Sequence, residues 1–271
     1  MSAYTAIFNG HDLSQLFVIS PPERTLTTWE PDLVAMPNGY GSLFAGTKAQ
    51  AMEITLRLTT FAETLDDRLA DLRTLSGWLF VDEPKKLAFT DESYDYTTIG
   101  GYERTGNLYR MALPTGTPKV THTLNAATAE VKFICPDSRA YLGYGPSLQG
   151  VEDEFFFAAN EEYDGYPMGN APTETRIFLE NVCGDSDGVF QMEFTCYDAE
   201  KFGGAITLDV ASNANAYIMV DSEDRTYSND MSLEPYPLDN DWIQIVGGHR
   251  TTARVTRGSC ETDVFYYPRW W

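Results

Sequence analysis

The sequence predicts a mainly β protein with one α-helix. Three observations support this prediction: apolar and polar residues alternate over several short segments, a single segment carries leucines at helical spacing, and turn-forming residues separate the short segments. At 271 residues the chain is long enough for two domains, each with its own core. We therefore expect two β domains.

The one strong helix is expected near residues 64–80. Its apolar positions recur every three or four residues, as on the buried face of an amphipathic helix: Leu65, Leu69, Leu72, Leu75 and Leu79. Asp66, Asp67, Arg68, Asp71 and Arg73 fall on the other faces. Thr64 and Asp67 resemble a capping box, and Pro84 prevents the helix from continuing.

Strands are expected to account for most of the rest. Residues 52–58 and 190–196 alternate between apolar and polar side chains, which is the period of a sheet with one buried face. Shorter candidate strands are residues 131–135, 176–179, 205–210, 217–220, 242–246, 253–255 and 264–267. Turn formers lie between the strands, at Asn38-Gly39, Asp187-Gly188, Gly203-Gly204 and Gly247-Gly248. The C-terminal half therefore looks like a sandwich or a jelly roll.

The boundary between the two domains is expected between residues 135 and 146. Pro136 closes a strand there, and Gly143, Gly145 and Pro146 break any continuation. We place the domains at residues 1–140 and 141–271.

The charge of the chain limits its partners. The formal net charge is −21, so a partner held by bulk electrostatics should be basic or neutral, and specific binding of nucleic acid through a basic face is disfavoured. No segment reaches the roughly 18 apolar residues of a membrane span, so no membrane insertion is expected. The N-terminus carries no secretory pattern, so we expect synthesis in the cytoplasm.

The residues that usually carry chemistry do not form a recognisable site. The four cysteines show no CxxC spacing and are expected to be buried free thiols, with neither a zinc site nor a disulfide scaffold. The three histidines lie in unrelated contexts, and among 40 acidic residues no pair stands out. We expect no catalytic residue, no metal, no cofactor and no enzymatic activity.

Two glycine-containing motifs favour turns over ligand sites. Residues 41–48 have the glycine spacing of a phosphate loop, but Thr47-Lys48 reverses the required order and a strand follows, so we expect a glycine-rich turn before that strand. Asp185-Ser186-Asp187-Gly188 could begin a calcium loop, yet Val189 stands at a ligand position. A hairpin turn explains this second motif better.

Aromatic residues cluster just after the expected domain boundary. The cluster comprises Tyr141, Tyr144, Phe155, Phe156, Phe157, Tyr163 and Tyr166. Exposed aromatic rings can stack on sugars, so Tyr141, Tyr144, Tyr163 and Tyr166 are candidate saccharide contacts. Ordinary core or interface packing explains the same enrichment. Both interpretations stay open.

The order of segments resembles that of siphophage distal tail proteins over almost the whole chain. The matching segments are residues 8–13, the glycines at 39, 41 and 46 before residues 53–56, the helix at 72–78 with residues 82–92, and then residues 131–137, 170–173, 220–226 and 267–271. Residues 82–92 are the most specific of these. Ser138 replaces a proline that the family often has after Asp137.

The resemblance implies a structural virion protein at the distal end of the tail. In such proteins an N-terminal sandwich or barrel-like domain assembles into a hexameric ring, and a galectin-like, jelly-roll C-terminal sandwich decorates the outside of the ring. The implied partners are other copies of the chain, the major tail tube protein, the tail-tip hub and, in some members, a receptor-binding protein. The alternative function is a carbohydrate-binding adhesion module that uses the C-terminal sandwich.

Overall fold

The computed structural model describes residues 4–26, 28–35, 42–97, 103–144, 148–157, 161–197, 199, 202–210, 216–229 and 242–271. Over these residues it confirms the predicted fold class, since strands dominate and one α-helix is present. The chain divides into a first unit (Met1–Tyr96, Arg104–Gln149 and Trp271) and a second unit (Thr97–Glu103 and Gly150–Trp270). The first unit extends to Gln149, past the boundary at residue 140 that the sequence predicts, because the strand at 140–144 pairs with residues 107–109.

The first unit contains most of the N-terminal strands and the helix. Its elements are β1 (Ala6–Phe8), β2 (His11–Asp12), a 3-10 turn (Leu13–Gln15), β3 (Val18–Ile19), β4 (Glu23–Arg24), β5 (Trp29–Ala35), β6 (Ser42–Ala49), β7 (Met52–Thr60), α1 (Leu65–Leu79), β8 (Lys85–Thr97), β9 (Glu103–His122), β10 (Ala127–Cys135) and β11 (Ala140–Tyr144). A short strand, β12 (Gln149–Gly150), follows. The first hairpin turns at Asn9 and Gly10, whose φ angles of 50° and 78° suit a two-residue hairpin turn.

One curved sheet organises the first unit. Its strands follow the order β2-β1-β8-β9-β10-β7-β3. In addition, β11 pairs with β9 and β4 pairs with β7. Along β7 and β10 every second side chain is buried, as the alternation in the sequence predicts. Ile54, Leu56 and Phe133 are among the residues that form the core.

The helix starts and ends within one residue of the predicted positions. The Thr64 side chain accepts a hydrogen bond from the N–H of Asp67 at 3.1 Å, which is the predicted N-cap. Only part of the predicted apolar face is buried: Leu75 is buried, but Leu65 is 56% exposed. Arg68 is buried instead, and its Nη1 donates to the Leu124 carbonyl oxygen at 3.1 Å. The first turn is therefore held by a polar contact that leucine spacing could not reveal.

Strands β5 and β6 form a separate hairpin. They pair antiparallel with each other and, within the described part of the chain, with no other strand. Trp29 and Leu33 on β5 are 50% and 57% exposed, although Trp29 also touches Trp271 edge-to-face. The expected glycine-rich turn at 41–48 is strand β6 from Ser42 onwards, and Asn38, Gly39 and Gly41 lie outside the described residues.

The second unit is built from strands alone in its described part. They are β13 (Asp153–Phe157), β14 (Glu162–Gly165), β15 (Pro172–Cys183), β16 (Val189–Cys196), β17 (Gly203–Asp209), β18 (Ala216–Asp221), β19 (Thr226–Asn229), β20 (Gln244–Val246), β21 (Thr251–Arg257), β22 (Ser259–Tyr266) and β23 (Arg269–Trp270). Each of the shorter strands predicted in this half overlaps one of these elements, although residues 210, 242, 243 and 267 lie outside the strands.

Strands β13 to β22 of the second unit form one 10-stranded sheet that folds around one core, in the order β13-β22-β15-β20-β17-β16-β21-β14, with β18 on β15 and β19 on β18. We call the layer of β13, β22, β15, β18 and β19 the β15–β22 sheet, and the layer of β20, β17, β16, β21 and β14 the β16–β17 sheet. The long strand β15 pairs with β20 near its start and with β22 and β18 further along. Ile177 and Val264 from one sheet and Phe190 and Ile245 from the other lie in the same core. This arrangement is a β-sandwich.

Candidate functional site

The tyrosines predicted to contact saccharides are divided between the two units. Tyr141 belongs to the first unit, where it stacks on Tyr109 at a centroid distance of 5.6 Å. Tyr163 belongs to the second unit and stacks on Phe155 at 3.8 Å. Tyr166 is 70% exposed, and the side chain of Tyr144 lies outside the described residues. Of the three described rings, those of Tyr141 and Tyr163 therefore contribute to packing, and that of Tyr166 faces solvent.

Tyr141 is also fixed through its hydroxyl. The hydroxyl donates to Asp137 Oδ2 at 3.0 Å, and Arg139 donates to the same carboxylate at 2.9 Å. Burial raises the pKa of Asp137, but the hydrogen bonds and charge of Arg139 and the bond from Tyr141 outweigh it, so the pKa lies below its usual value. The carboxylate is therefore ionised at neutral pH and keeps the tyrosine in place.

A shallow pocket of about 300 Å³ opens instead on the outer face of the β15–β22 sheet. Six residues line it: Glu152, Arg176, Phe178, Glu180, Asp263 and Phe265. All six belong to the second unit. We call this set the sheet-face pocket.

Strand alternation places these side chains on one face. Ile177 and Leu179 on β15 point into the core, so Arg176, Phe178 and Glu180 between and beside them point outwards. The antiparallel register sets Phe265 opposite Arg176 and Asp263 opposite Phe178. The Phe178 and Phe265 rings meet edge-to-face with centroids 5.4 Å apart. Residues far apart in the sequence are thus brought together by the pairing of β15 with β22.

Asp221 orients the one arginine of the pocket. Arg176 Nε donates to Asp221 Oδ2 at 3.0 Å, while Asp221 Oδ1 accepts the N–H groups of Glu223 and Asp224 at 3.0 and 3.1 Å. Burial raises the pKa of Asp221, but the bonds from Asp224 and Arg176 and the charge of Arg176 outweigh it and lower the pKa overall. Arg176 Nη1 lies 3.9 Å from Glu152.

Polar groups and aromatic rings are therefore combined in the sheet-face pocket. Among the described residues, the carboxylates of Glu180 and Asp263 have no hydrogen bond or ion pair, so they can accept hydrogen bonds from a ligand. Three carboxylates against one guanidinium leave a net negative charge. A ligand that supplies hydroxyl or ammonium donors and an apolar face would suit this set of groups.

The other motifs are structural. Asp185 to Gly188 form the predicted turn: Asp185 Oδ1 accepts the N–H of Asp187 at 2.9 Å, and Arg257 Nε donates to Asp185 Oδ2 at 2.7 Å. Within the described residues no group of three or more His, Cys, Asp or Glu side chains could hold a metal ion. The four cysteines are free thiols, of which Cys183 is half-buried and the others are buried. In the described ranges no helix is long and apolar enough to cross a bilayer.

Comparison with known proteins connects the first unit to phage tails. Residues 11–135 match the family described as the phage tail protein RIFT-related domain. The crystal structure of phage SPP1 Dit (gp 19.1), described as a paradigm of the hub adsorption apparatus in phages that infect Gram-positive bacteria, aligns with 100% of this chain and 100% of its own. The TM-score is 0.61 and the sequence identity is 14%, so the two chains share a fold.

Other comparisons add little. Two structures of the phage P2 baseplate in its activated conformation, with Ca and with Sr, cover 97% of this chain and 97% and 98% of their own, at 10% identity. Their TM-scores of 0.36 and 0.33 are too low to support an argument. No curated protein sequence matches the chain. The predicted resemblance to siphophage distal tail proteins is confirmed: residues 11–135 match the phage tail protein RIFT-related domain family, and the chain shares the fold of SPP1 Dit.

Proposed function

We propose that the chain is a distal tail adaptor whose copies form a closed ring between the tail tube and the host-adsorption apparatus at the tip. The observation that carries this proposal is a phage tail domain at residues 11–135 within a chain that matches SPP1 Dit from end to end. The role is structural and requires no catalysis. The major tail tube protein and the tail-tip hub are the proposed neighbours, with a receptor-binding protein as a further partner.

The β5–β6 hairpin supports self-assembly through the first unit. A two-stranded hairpin is at best marginally stable on its own in water. Leu33 is more than half exposed on this hairpin, and Trp29 is half exposed. Burial of such side chains against another copy would stabilise both the hairpin and the contact. A head-to-tail contact of this kind closes into a ring when its rotation permits.

The net charge supports passage of DNA through the proposed ring. Each copy carries −21, so six copies would carry −126. If part of this charge lines the lumen, it repels phosphates and keeps DNA from adhering. The second unit, which we propose to be galectin-like, would then lie on the outside of the ring.

Native mass spectrometry tests ring formation with the purified full chain. Six copies of 30.4 kDa give about 182 kDa. Leu33→Asp places a charge on the exposed hairpin and should shift the population to monomers, because a charge buried without a partner costs several kcal/mol. Tyr166→Asp makes a matched change at an exposed site of the second unit and should leave the ring intact.

The two variants also define what would contradict the proposal. A wild-type chain that stays monomeric on increasing concentration, together with Leu33→Asp behaving identically, would argue against assembly through the hairpin. If the ring persists in Leu33→Asp but is lost in Tyr166→Asp, the contact between copies lies in the second unit.

A further inference from the structure

The sheet-face pocket has an aromatic floor of a kind that sugars use. Phe178 and Phe265 are half-buried, and their rings meet edge-to-face with centroids 5.4 Å apart. The ring centroid of Tyr217 lies 6.3 Å from that of Phe178. On the neighbouring strand Phe156 stands opposite Asp263 and is 58% exposed. Four aromatic rings thus lie along an outward sheet face. The C–H face of a pyranose ring packs on such rings because it is apolar and flat.

Hydrogen-bonding groups line the pocket beside this aromatic floor. Asp263 and Glu180 provide acceptors on adjacent strands, and Arg176 provides donors whose direction is fixed by Asp221 at 3.0 Å. Hydrogen bonds to charged groups are stronger than neutral ones. An arginine held in place by a buried carboxylate loses less freedom when a ligand binds, which favours affinity.

The charge of the pocket selects among ligands. Glu152, Glu180 and Asp263 outnumber Arg176, and the chain as a whole carries −21, so a phosphate-bearing or carboxylate-bearing polymer would be repelled. An uncharged sugar presents hydroxyl donors to the carboxylates without that penalty. The volume of about 300 Å³ lies at the lower limit of small-ligand sites, which suits one or two sugar rings rather than a long chain.

We propose that the sheet-face pocket binds an uncharged pyranose saccharide, with Phe178 and Phe265 packing on the ring and Asp263, Glu180 and Arg176 bonding its hydroxyls. None of the tyrosines at 141, 144, 163 and 166, which the sequence predicts as saccharide contacts, lines this pocket. It adds a saccharide-binding function to the second unit and does not depend on ring assembly.

Saturation-transfer NMR with the full chain tests this proposal. The probes are lactose, maltose, cellobiose and di-N-acetylchitobiose, each at up to about 10 mM, since a single shallow site is expected to bind with a Kd of roughly 1 mM. At least one should bind. Asp263→Asn should raise its Kd about tenfold, because a charge-assisted bond becomes a neutral one. Phe178→Leu keeps an apolar side chain but removes the aromatic ring, so most of the saturation-transfer signal should be lost.

A control variant and a competing ligand complete the design. Tyr166→Ala removes an exposed ring outside the pocket and should leave the Kd unchanged, and circular dichroism shows whether each variant is folded. Absence of saturation for all four sugars overturns the proposal, as does binding that is lost in Tyr166→Ala but kept in folded Asp263→Asn and Phe178→Leu. Binding of tetralysine but of no sugar would assign the pocket to a basic polypeptide and would equally overturn it.

Discussion

Replacement of Asp221 by asparagine is expected to destabilise the second unit by about 1.5 kcal/mol. The Asp221 carboxylate accepts two backbone N–H groups through Oδ1 and Arg176 Nε through Oδ2. The amide oxygen of asparagine can keep the two backbone bonds, but its NH₂ group cannot accept from Arg176. The loss is one bond to a charged group, worth about 1.5–3 kcal/mol. We take the lower value because the Arg176 side chain is 37% exposed and water screens its charge.

The same contact makes a specific prediction about pH. Because the pKa of folded Asp221 lies below its usual value, ionisation stabilises the folded state above the unfolded pKa, and this contribution is lost as the pH falls through the folded pKa. The stability difference between wild type and Asp221→Asn should therefore be constant above about pH 5 and shrink below about pH 4.

Urea unfolding of the full chain measures both effects. The transition of the second unit in Asp221→Asn should move to lower urea at pH 7, and in calorimetry its melting temperature should fall by roughly 5 °C. Asp224→Asn is the matched control on the same turn, because only the backbone N–H of Asp224 takes part in the bond. Equal stability of the two variants at pH 7, or a difference that grows below pH 4, would refute the reasoning.

Three further predictions concern the first unit, the thiols and assembly. Thr64→Ala removes the helix N-cap and should cost about 1 kcal/mol in urea unfolding, whereas Thr74→Ala in the same helix should cost less. Burial raises the pKa of Cys135 and of Cys260 to about 11, so these thiols should react with Ellman's reagent at pH 8 only on unfolding; fast reaction of the native protein in a Cys183→Ser variant, which lacks the half-buried thiol, would contradict this. Because each copy carries −21, the ring fraction in native mass spectra should rise as salt is increased from about 0.05 to 0.5 M, and a fall would show that attraction between charges dominates the contact.

The sequence predicted strands where alternation is undisturbed and missed strands that contain turn formers. Strand β9 includes Pro114, Gly116 and Pro118, which usually end a strand. The pairing of β9 with β10 shifts register between Glu130 and Lys132, and Gly116 adopts a φ of 69°. The turn formers lie at this register shift, and β9 pairs with β10 on both sides of it. Only the long-range pairing with β10 makes this possible, so a local pattern could not predict it.

The candidate site was hidden for a related reason. Arg176, Phe178 and Glu180 alternate with Ile177 and Leu179, which is the signal that could have marked an unusual outward face on β15. Nothing local shows that Asp263 pairs with Phe178, because that register arises from the folded sandwich. The tyrosines chosen from the sequence were neighbours along the chain, yet Tyr141 packs in the first unit and Tyr163 in the second.

The adaptor role is tested most directly by immunogold electron microscopy of the phage that encodes the chain, with an antibody raised against the second unit. We expect gold particles confined to the end of the tail opposite the capsid, because the proposed ring lies between the tube and the tip. Label spread along the whole tube, or found only on the capsid, would contradict it.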